Sequence, residues 1–321
     1  MTAHKVIALD LGGTQIRAAL FMGEGMIRRA ALNTDVSGGP AGVFAQIDLL
    51  IGKVLGDCAL SDVMGIGMAC AGPIDTELGI VTHIPTLPGW DGLPLASVLT
   101  GRLGLPVRVE SDCIAAALGE WRYGAGKGVR NMFYLSVSTG IGGGSVTDGK
   151  LLHGHKGMAA HIGHIRLAQQ GPECNCGAIG CFEAVAAGTA LRKFAMSAAE
   201  DGASVFLEKV SKAGSIEAKH VFDGARAGDS YCRKLINQEA TYLGQGITAA
   251  IHMYSPERVI IGGGLSNGFD LLDEGIHKII QRDAMPAFKH VLVHPAALGG
   301  DSGLWGAFSM ILQSDTCQIK T

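Results

Sequence analysis

The segment from His161 to Glu183, HIGHIRLAQQGPECNCGAIGCFE, is dense in side chains that can bind metals. Its cysteines, Cys174, Cys176 and Cys181, follow the spacing Cys-x-Cys-x4-Cys, and His164 lies ten residues before the first of them. Three thiolates and one imidazole form a complete tetrahedral ligand set for Zn²⁺, and a zinc ion with no open position is structural. The alternative is that the thiols are simply buried or incidental, but so dense a cluster favours a metal site.

Three glycine-rich turns each follow an apolar run that is typical of a buried strand: DLGGT (10–14), STGIGGG (138–144) and IGGGLS (261–266). Glycines in such turns let backbone N–H groups face an anion, and serine or threonine hydroxyls add donors. One such turn is more often a plain chain reversal, but three in one chain favour a nucleotide held between two lobes. The predicted nucleotide contacts are Asp10, Gly12, Gly13, Thr14, Ser138, Thr139, Gly140, Gly142, Gly262, Gly263 and Gly264.

Two aspartates lie where predicted strands end. Asp10 is either a turn former or helix N-cap, or a carboxylate that holds Mg²⁺ directly or through water. Asp112 lies at a junction between a strand and a helix, where it is either the helix N-cap or the base that accepts the proton of an attacking hydroxyl. Spacing alone leaves these two interpretations of Asp112 even.

The elements that must position these residues are strands alternating with helices, which indicates an α/β fold. The run KVIALDLGG opens the chain as a strand and a glycine turn, and NMFYLSVSTGIGGG (131–144) repeats that order. Asp148-Gly149 then predicts a hairpin. This weak duplication predicts two related lobes with a cleft between them. The predicted small lobe is 1–115 with about 303–321, and the large lobe, 116–302, carries the zinc-binding loop.

Composition favours a folded enzyme. The 321 residues are 47% hydrophobic and 17% charged, so the chain can form a substantial core. A net charge of −3 gives no overall attraction to nucleic acid or to an anionic membrane, although it does not exclude a local basic patch. We expect a cytoplasmic protein because the sequence shows neither a signal peptide nor a membrane span, and there the eight cysteines are thiols or metal ligands rather than a disulfide framework.

Over essentially its full length the chain resembles the ROK family of sugar kinases. ALDLGGTQIRAAL and VSTGIGGG are similar to the first and second phosphate motifs of the family, VIIGGGLS to its adenosine region, and GHIRLAQQGPECNCGAIGCFEAVAAG to its zinc signature. The resemblance implies a fold like that of actin and hexokinase, with two RNase-H-like lobes around a cleft and a final helix that returns to the first lobe. It also implies that Asp112 is the catalytic base, that Glu183 contacts the sugar, and that the zinc ligands are His164, Cys174, Cys176 and Cys181.

The chain departs from the motifs of ROK glucokinases at three places. Ser111 precedes Asp112 where many of them have Asn, and Thr86 lies in a segment where Asn is common. His161 begins the tetrad His-Ile-Gly-His, where they have Glu-x-Gly-His and where N-acetylmannosamine kinases are similar to this chain. We expect His161 to contact the C2 substituent of the sugar; the competing interpretation makes it a metal ligand. The predicted sugar contacts are Gly72, Thr86, Ser111, Asp112, His161, His164 and Glu183.

The resulting hypothesis is ATP-dependent phosphorylation of the 6-hydroxyl of an N-acylhexosamine, with N-acetylmannosamine first and glucose or N-acetylglucosamine as alternatives. Mg²⁺ near Asp10 would bridge the ATP phosphates, and zinc would hold the loop that presents His161 and Glu183. A sugar-responsive repressor is a weaker hypothesis, since only five residues precede Val6, and a sugar-binding module without catalysis is weaker because both aspartates are present. We expect a homodimer that binds ATP and a sugar.

Overall fold

The structure, a computed structural model, describes residues 4–82, 84 and 87–317. These residues form two compact units. Unit 1 contains the chain up to Lys127, the segment Leu151–Ala159 and the chain from Asp301 onward, and unit 2 contains Gly128–Lys150 and Ala160–Gly300.

The strands are β1 (Lys5–Leu11), β2 (Gln15–Met22), β3 (Gly25–Asn33), β4 (Val63–Cys70), β5 (Ile74–Asp75), β6 (Ile80–Val81), β7 (Val107–Ser111), β8 (Met132–Val137), β9 (Ile141–Thr147), β10 (Lys150–Leu151), β11 (Arg258–Gly262) and β12 (Leu292–Pro295). The α-helices are α1 (Gly39–Leu55), α2 (Leu95–Leu103), α3 (Asp112–Tyr123), α4 (Phe182–Ala186), α5 (Gly188–Glu200), α6 (Val205–Ala213), α7 (Ala218–Arg226), α8 (Ser230–Tyr254), α9 (Phe269–Asp283) and α10 (Ser302–Cys317). Short 3-10 turns join several of them.

The main sheet of unit 1 has the strand order β3-β2-β1-β4-β7. The first three strands form an antiparallel meander, whereas β4 is parallel to both β1 and β7. The register pairs Leu11 with Cys70 and Cys70 with Ser111, so the carboxyl ends of the three parallel strands lie at one edge of the sheet. This edge is where open α/β sheets bind ligands.

Both faces of this sheet are covered, which explains why β1 is apolar at nearly every position. Alternate side chains point to opposite faces. Ile7 and Leu9 pack in a cluster with residues of α1 and α2, while Val6 and Ala8 pack in a cluster with residues of α10.

Helix α10 lies very close to α3 because both helices have glycine at their contact. A Cβ at Gly119 would meet the carbonyl oxygen of Ser302, and a Cβ at Gly306 would meet the carbonyl of Ala115. The backbones therefore approach to a distance that no larger residue allows.

The sheet of unit 2 has the order β10-β9-β8-β11-β12. Strand β8 is antiparallel to β9 and parallel to β11, which is parallel to β12. Each unit thus has an antiparallel meander at one side of its sheet and two parallel strands at the other, in the same chain order. The core of unit 2 is a single cluster of side chains from this sheet and from α4, α5, α7, α8 and α9. The predicted α/β fold with a duplicated organisation is confirmed by the matching strand orders of the two sheets.

The boundaries of the units differ from the predicted lobes at two places. The predicted break after residue 115 would cut α3, but this helix belongs as a whole to unit 1 because it packs on α10. The segment Leu151–Ala159 also belongs to unit 1, where Lys156 forms an ion pair with the buried Asp75. The Asp148-Gly149 turn is as expected: both residues have positive φ, 52° and 74°, and they join β9 to β10.

No helix in the part of the chain that the structure describes is long and apolar enough to cross a membrane.

Replacing Gly306 by Ala should destabilise the protein, because the added Cβ collides with the backbone of α3. We expect a loss of about 1 to 3 kcal/mol in the free energy of unfolding, measured by urea denaturation. The control is Gly101→Ala in α2, where the added Cβ meets open space. The free energy of unfolding of that variant should rise by up to about 1 kcal/mol, because alanine has a higher helix propensity than glycine. Equal effects of the two substitutions would contradict the close packing of α3 and α10.

Candidate active site

The carboxyl edge of the unit 1 sheet holds Asp10, the turn from Gly12 to Thr14, Gly72 and the Ser111–Asp112 pair. Thr34 closes over the turn: its amide donates to the Thr14 carbonyl, and its hydroxyl donates to the Gly12 carbonyl at 2.8 Å. The amide of Gly12 already donates to the carbonyl of Gln15 at 3.0 Å. The amides of Gly13 and Thr14 are therefore the candidates in this turn for binding an anion.

Asp10 is a buried carboxylate next to a cation. Its Oδ2 accepts a hydrogen bond from Arg17 Nη1 at 3.0 Å, and Gly303 at the start of α10 lies against the carboxylate, where a Cβ would be 3.0 Å away. Burial raises the pKa of Asp10 to about 6; Arg17 opposes this rise, and the charge of Asp112 adds to it. A carboxylate that loses hydration without full compensation is a good ligand for a divalent cation.

Asp112 is the first residue of α3, and the N-cap is Ser111. Its Oδ1 accepts a hydrogen bond from the Cys113 amide at 2.7 Å, and its side chain is partly exposed at the sheet edge. The N-cap interpretation of Asp112 is therefore wrong by one position. Gly72 belongs to the same edge, since a Cβ there would lie 3.7 Å from Ser111 Oγ.

The second and third glycine turns meet at the corresponding edge of unit 2. Parallel pairing of β8 with β11 places Ser136 opposite Gly262, so the turns that follow these strands are neighbours. Gly263, with φ of 83°, lies against the Val137 backbone so closely that a Cβ would collide with it. The start of α5 holds the second turn: the Gly188 amide donates to the Ser138 carbonyl at 2.7 Å. The side chains of Ser138 and Thr139 are exposed.

The predicted metal ligands come together in unit 2. The donor atoms of His164, Cys174, Cys176 and Cys181 all lie within 4.8 Å of one another. Cys174 Sγ is 3.7 Å from His164 Nδ1, and Cys176 Sγ is 3.7 Å from Cys181 Sγ. A tetrahedral site with Zn–S bonds of about 2.3 Å has edges of about 3.8 Å between sulfurs. The donor set and its spacing therefore fit zinc.

Glycines shape the loop that carries this cluster. Gly177 and Gly180 have φ of 85° and 74°, which only glycine adopts without strain. They turn the chain so that the Gly177 amide donates to the Cys174 carbonyl at 2.8 Å, and an isolated β-bridge joins Arg166 to Cys181. Cys181 is the N-cap of α4, so the last ligand leads directly into the helix that carries Glu183.

Glu183 connects the four-donor cluster to the second glycine turn. Its Oε2 accepts a hydrogen bond from the Ile141 amide at 2.9 Å, and its Oε1 lies 4.0 Å from Cys174 Sγ. Gly163 contacts the same Ile141 at its carbonyl, and a Cβ at Gly163 would collide with that carbonyl oxygen. The turn with His161 and His164, the cluster and the second glycine turn thus form one contiguous site within unit 2. Sequence reasoning missed Ile141 as the partner of Glu183.

His161 is the N-cap of the 3-10 turn Ile162–His164, and its side chain is exposed. Its ring lies nearly parallel to that of His164, with centroids 6.5 Å apart. The four-donor cluster found among the described residues contains His164 and not His161, so the interpretation of His161 as a metal ligand is not supported. Thr86, the remaining predicted sugar contact, lies outside the described residues.

The profile of the ROK family matches residues 6–314. The chain belongs to the ROK family. A glucokinase of Thermotoga maritima is 38% identical over 316 residues, which cover 97% of this chain and 98% of that protein. An N-acetylmannosamine kinase of Salmonella typhimurium is 32% identical over 313 residues, which cover 97% and 99%. The structure of a ROK family glucokinase from Streptomyces griseus in complex with glucose and AMPPNP is similar with a TM-score of 0.84 and 31% identity, over 96% of this chain and 99% of that one.

Membership of the ROK family confirms the predicted class of enzyme, an ATP-dependent sugar kinase. The relatives do not decide the sugar, because both a glucokinase and an N-acetylmannosamine kinase match the chain over nearly its whole length.

Replacing Asp10 by Asn should stabilise the protein above pH 6, because folding raises the pKa of this carboxyl from 3.8 to about 6. The unfolded chain loses this proton at a lower pH than the folded chain does, so ionisation of Asp10 costs no stability below about pH 4 and its full cost above about pH 6. The difference in free energy of unfolding between the variant and the wild type should grow across that range to about 3 kcal/mol. Urea denaturation at several pH values, without Mg²⁺, measures it.

The matched control is Asp57→Asn, on an exposed turn of the same unit. It should change stability by less than about 0.5 kcal/mol. If Asp10→Asn changes the free energy of unfolding by the same amount at pH 4 and at pH 7, burial does not raise the pKa of Asp10.

Proposed function

We propose that the enzyme transfers the γ-phosphoryl group of ATP to the 6-hydroxyl of an N-acylhexosamine, and that N-acetylmannosamine is its preferred acceptor. The observation that carries this choice is His161. Its imidazole is exposed beside His164 on a turn that packs against the second glycine turn.

The chemistry of an imidazole suits a 2-acetamido group. An ionised glutamate only accepts hydrogen bonds, which suits a free sugar hydroxyl. An acetamido group offers both an N–H donor and a carbonyl acceptor, and a neutral histidine can match either of them through its two ring nitrogens. His161 therefore contacts the substituent at C2, while Glu183 and His164 contact sugar hydroxyls.

Asp112 accepts the proton of the attacking hydroxyl. It lies at the N-terminus of α3 and near Asp10, whose pKa its charge raises. The residues around Asp10 fit Mg²⁺, which would neutralise charge on the ATP phosphates when bound. The amides of Gly13 and Thr14 and the hydroxyls of Ser138 and Thr139 bind phosphate oxygens, and Gly262, Gly263 and Gly264 lie beside the adenosine. Catalysis in such a site consists mainly of positioning and electrostatic stabilisation.

Glucose is the second candidate acceptor. The identity of 38% to a glucokinase favours it over N-acetylglucosamine. The two candidates differ at C2, which is the position that His161 is proposed to contact.

His164, Cys174, Cys176 and Cys181 would hold a structural zinc ion. Four protein ligands are a closed set, so such an ion would offer no position to substrate. When bound, it would stabilise the loop between His161 and Glu183 and so keep the side chains that touch the sugar in place. The cytoplasm, where thiols stay reduced and ATP is available, is the location that suits both the cysteines and the reaction. A homodimer stays a prediction.

The purified protein should contain one zinc ion per chain, measured by elemental analysis. Cys176→Ser should lose the metal and lower the melting temperature, because removing one thiolate opens the tetrahedron. Cys58→Ser, whose thiol is outside the cluster, is the control and should keep the metal. Zinc-free native protein of full stability would refute the site.

The acceptor is tested by ADP release with N-acetylmannosamine, N-acetylglucosamine, mannose and glucose, using the wild type, His161→Glu and Asp112→Asn. The wild type should have its highest kcat/KM with N-acetylmannosamine. His161→Glu should shift the preference towards glucose by about 10-fold or more, since one acceptor-only group replaces the imidazole. Asp112→Asn should reduce kcat by at least about 100-fold with every sugar.

A wild-type preference for glucose would overturn the role of His161 and leave the kinase assignment standing. An Asp112→Asn variant with wild-type kcat would overturn the assignment of the base.

A further inference from the structure

A buried glutamate lies directly before the residues that carry the proposed base. Glu110 in β7 has 4% of its surface exposed. Its Oε1 accepts a hydrogen bond from the Ser111 amide at 2.9 Å, and its Oε2 lies 3.0 Å from His153 Nε2. The carboxylate therefore connects a histidine to the backbone between β7 and α3.

The bond to the Ser111 amide lies at the last residue of β7, whose backbone also pairs with Cys70 of β4. Ser111 is the N-cap of α3, but its side chain makes no capping hydrogen bond. The peptide between Glu110 and Ser111 sets the direction in which the chain leaves the sheet. Asp112 follows this peptide by one residue, so a change in the direction of the chain displaces its carboxylate, which also accepts a hydrogen bond from the Cys113 amide.

The ring of His153 is held by Glu110, whose Oε2 faces Nε2 at 3.0 Å. The backbone of Leu151 also helps to raise the pKa of the ring. The His153 side chain is 47% exposed, so solvent and buffer protons reach the ring. Glu110 raises the pKa of His153 above 6.5, mainly through the hydrogen bond and also through its charge.

The segment that carries His153, Leu151–Ala159, is anchored in unit 1 by a second set of contacts. Lys156 Nζ lies 3.3 Å from Oδ2 of the buried Asp75, and the Thr76 amide donates to the Lys156 carbonyl at 3.3 Å. Gly157 lies so close to Thr76 that a Cβ would collide with its side chain. His153 is thus presented to Glu110 by a segment fixed at another point.

A cavity of about 490 Å³ in unit 1 adjoins the pair. Glu110 and His153 line it together with two other charged side chains, Glu77 and Arg108, and with apolar residues that include Leu118 and Leu151. Glu110 has room to turn into this space if its partner is lost.

We infer that His153 is a positioning residue for phosphoryl transfer: it holds the Glu110 carboxylate against the Ser111 amide, and through that amide it aims Asp112 at the acceptor hydroxyl. This inference rests on the proposed function, because it requires Asp112 to be the base.

Loss of the histidine would leave a buried carboxylate without its cation. A buried unpaired charge is costly, so the Glu110 carboxylate would turn into the cavity. This movement weakens the bond to the Ser111 amide. A small misplacement of a reacting group lowers the rate of the chemical step strongly and affects ground-state binding less.

The test compares His153→Ala, His153→Arg and Lys156→Ala with the wild type in the ADP-release assay. His153→Ala should lower kcat by about 10- to 100-fold and leave the KM for ATP within about twofold. His153→Arg should restore most of kcat, because the guanidinium keeps a cation at Glu110 and the adjoining cavity gives it room. Lys156→Ala removes the other ion pair of the segment, so it should lower stability and leave kcat within about twofold.

The dependence of kcat on pH gives a readout that a merely structural role would not change. In the wild type, His153 loses its proton as the pH rises through its raised pKa, so kcat should fall on the alkaline side. His153→Arg stays charged throughout this range and should lack that fall. Glu77 and Arg108, which line the same cavity, are unchanged in all variants.

The inference is overturned if His153→Ala has the kcat of the wild type. It is also overturned if His153→Ala and Lys156→Ala lower kcat by the same factor. If His153→Ala does not fold, the arginine variant decides: low kcat in a folded His153→Arg protein overturns the inference, and so does an alkaline fall like that of the wild type. A wild type that releases no ADP with any sugar overturns the proposed function and this inference together, whereas an active wild type with unaffected variants overturns the inference alone.

Discussion

The alignment of parallel strand ends is the constraint on which the candidate site depends. Pairing in unit 1 puts Leu11, Cys70 and Ser111 at one level, and pairing in unit 2 puts Ser136 opposite Gly262. Where such strands end, the chain leaves the sheet and its next amides are free to bind a ligand. A slip of one residue would turn every side chain of a strand to the opposite face. The proximity of Asp10 to Asp112, and of the second glycine turn to the third, therefore follows from register before any side chain is considered.

Among the described residues of unit 1, four carboxyl groups are buried, and each has a donor. Asp10 is next to Arg17, Asp75 next to Lys156 and Glu110 next to His153, while Glu120 accepts from the Ser302 hydroxyl at 2.7 Å. Glu239 in α8 of unit 2 is different, since its Oε1 has no hydrogen-bond partner among the described residues and burial raises its pKa well above the usual range. Burial of a charge without a partner is expensive, and this cost is what raises the pKa of Glu239. The paired acids of unit 1 include those at the candidate site, where a charged carboxylate has a chemical use.

Features governed by local chemistry were predictable, whereas contacts between distant segments were not. The hairpin at Asp148-Gly149 follows from the positive φ that these residues tolerate, and the zinc-type cluster follows from residue type and spacing. The partner of Asp10 could also have been found, because the antiparallel register of β1 and β2 pairs it with Arg17. The bond between Glu183 and the Ile141 amide and the pair of Glu110 with His153 join separate parts of the chain. No local pattern signals such contacts, because they arise only when the segments pack.

The loop that carries the four-donor cluster shows how a segment with little core of its own can position two parts of a site at once. Between His164 and Cys181, isolated bridges join Arg166 to Cys181 and Glu173 to Ile179. Four metal ligands can replace the missing core, since binding a metal contributes directly to the stability of a loop that folds around it. The loop touches the second glycine turn on both sides of Ile141, through Glu183 at its amide and Gly163 at its carbonyl. Any movement of the cluster would therefore displace the proposed sugar contacts and the second glycine turn together.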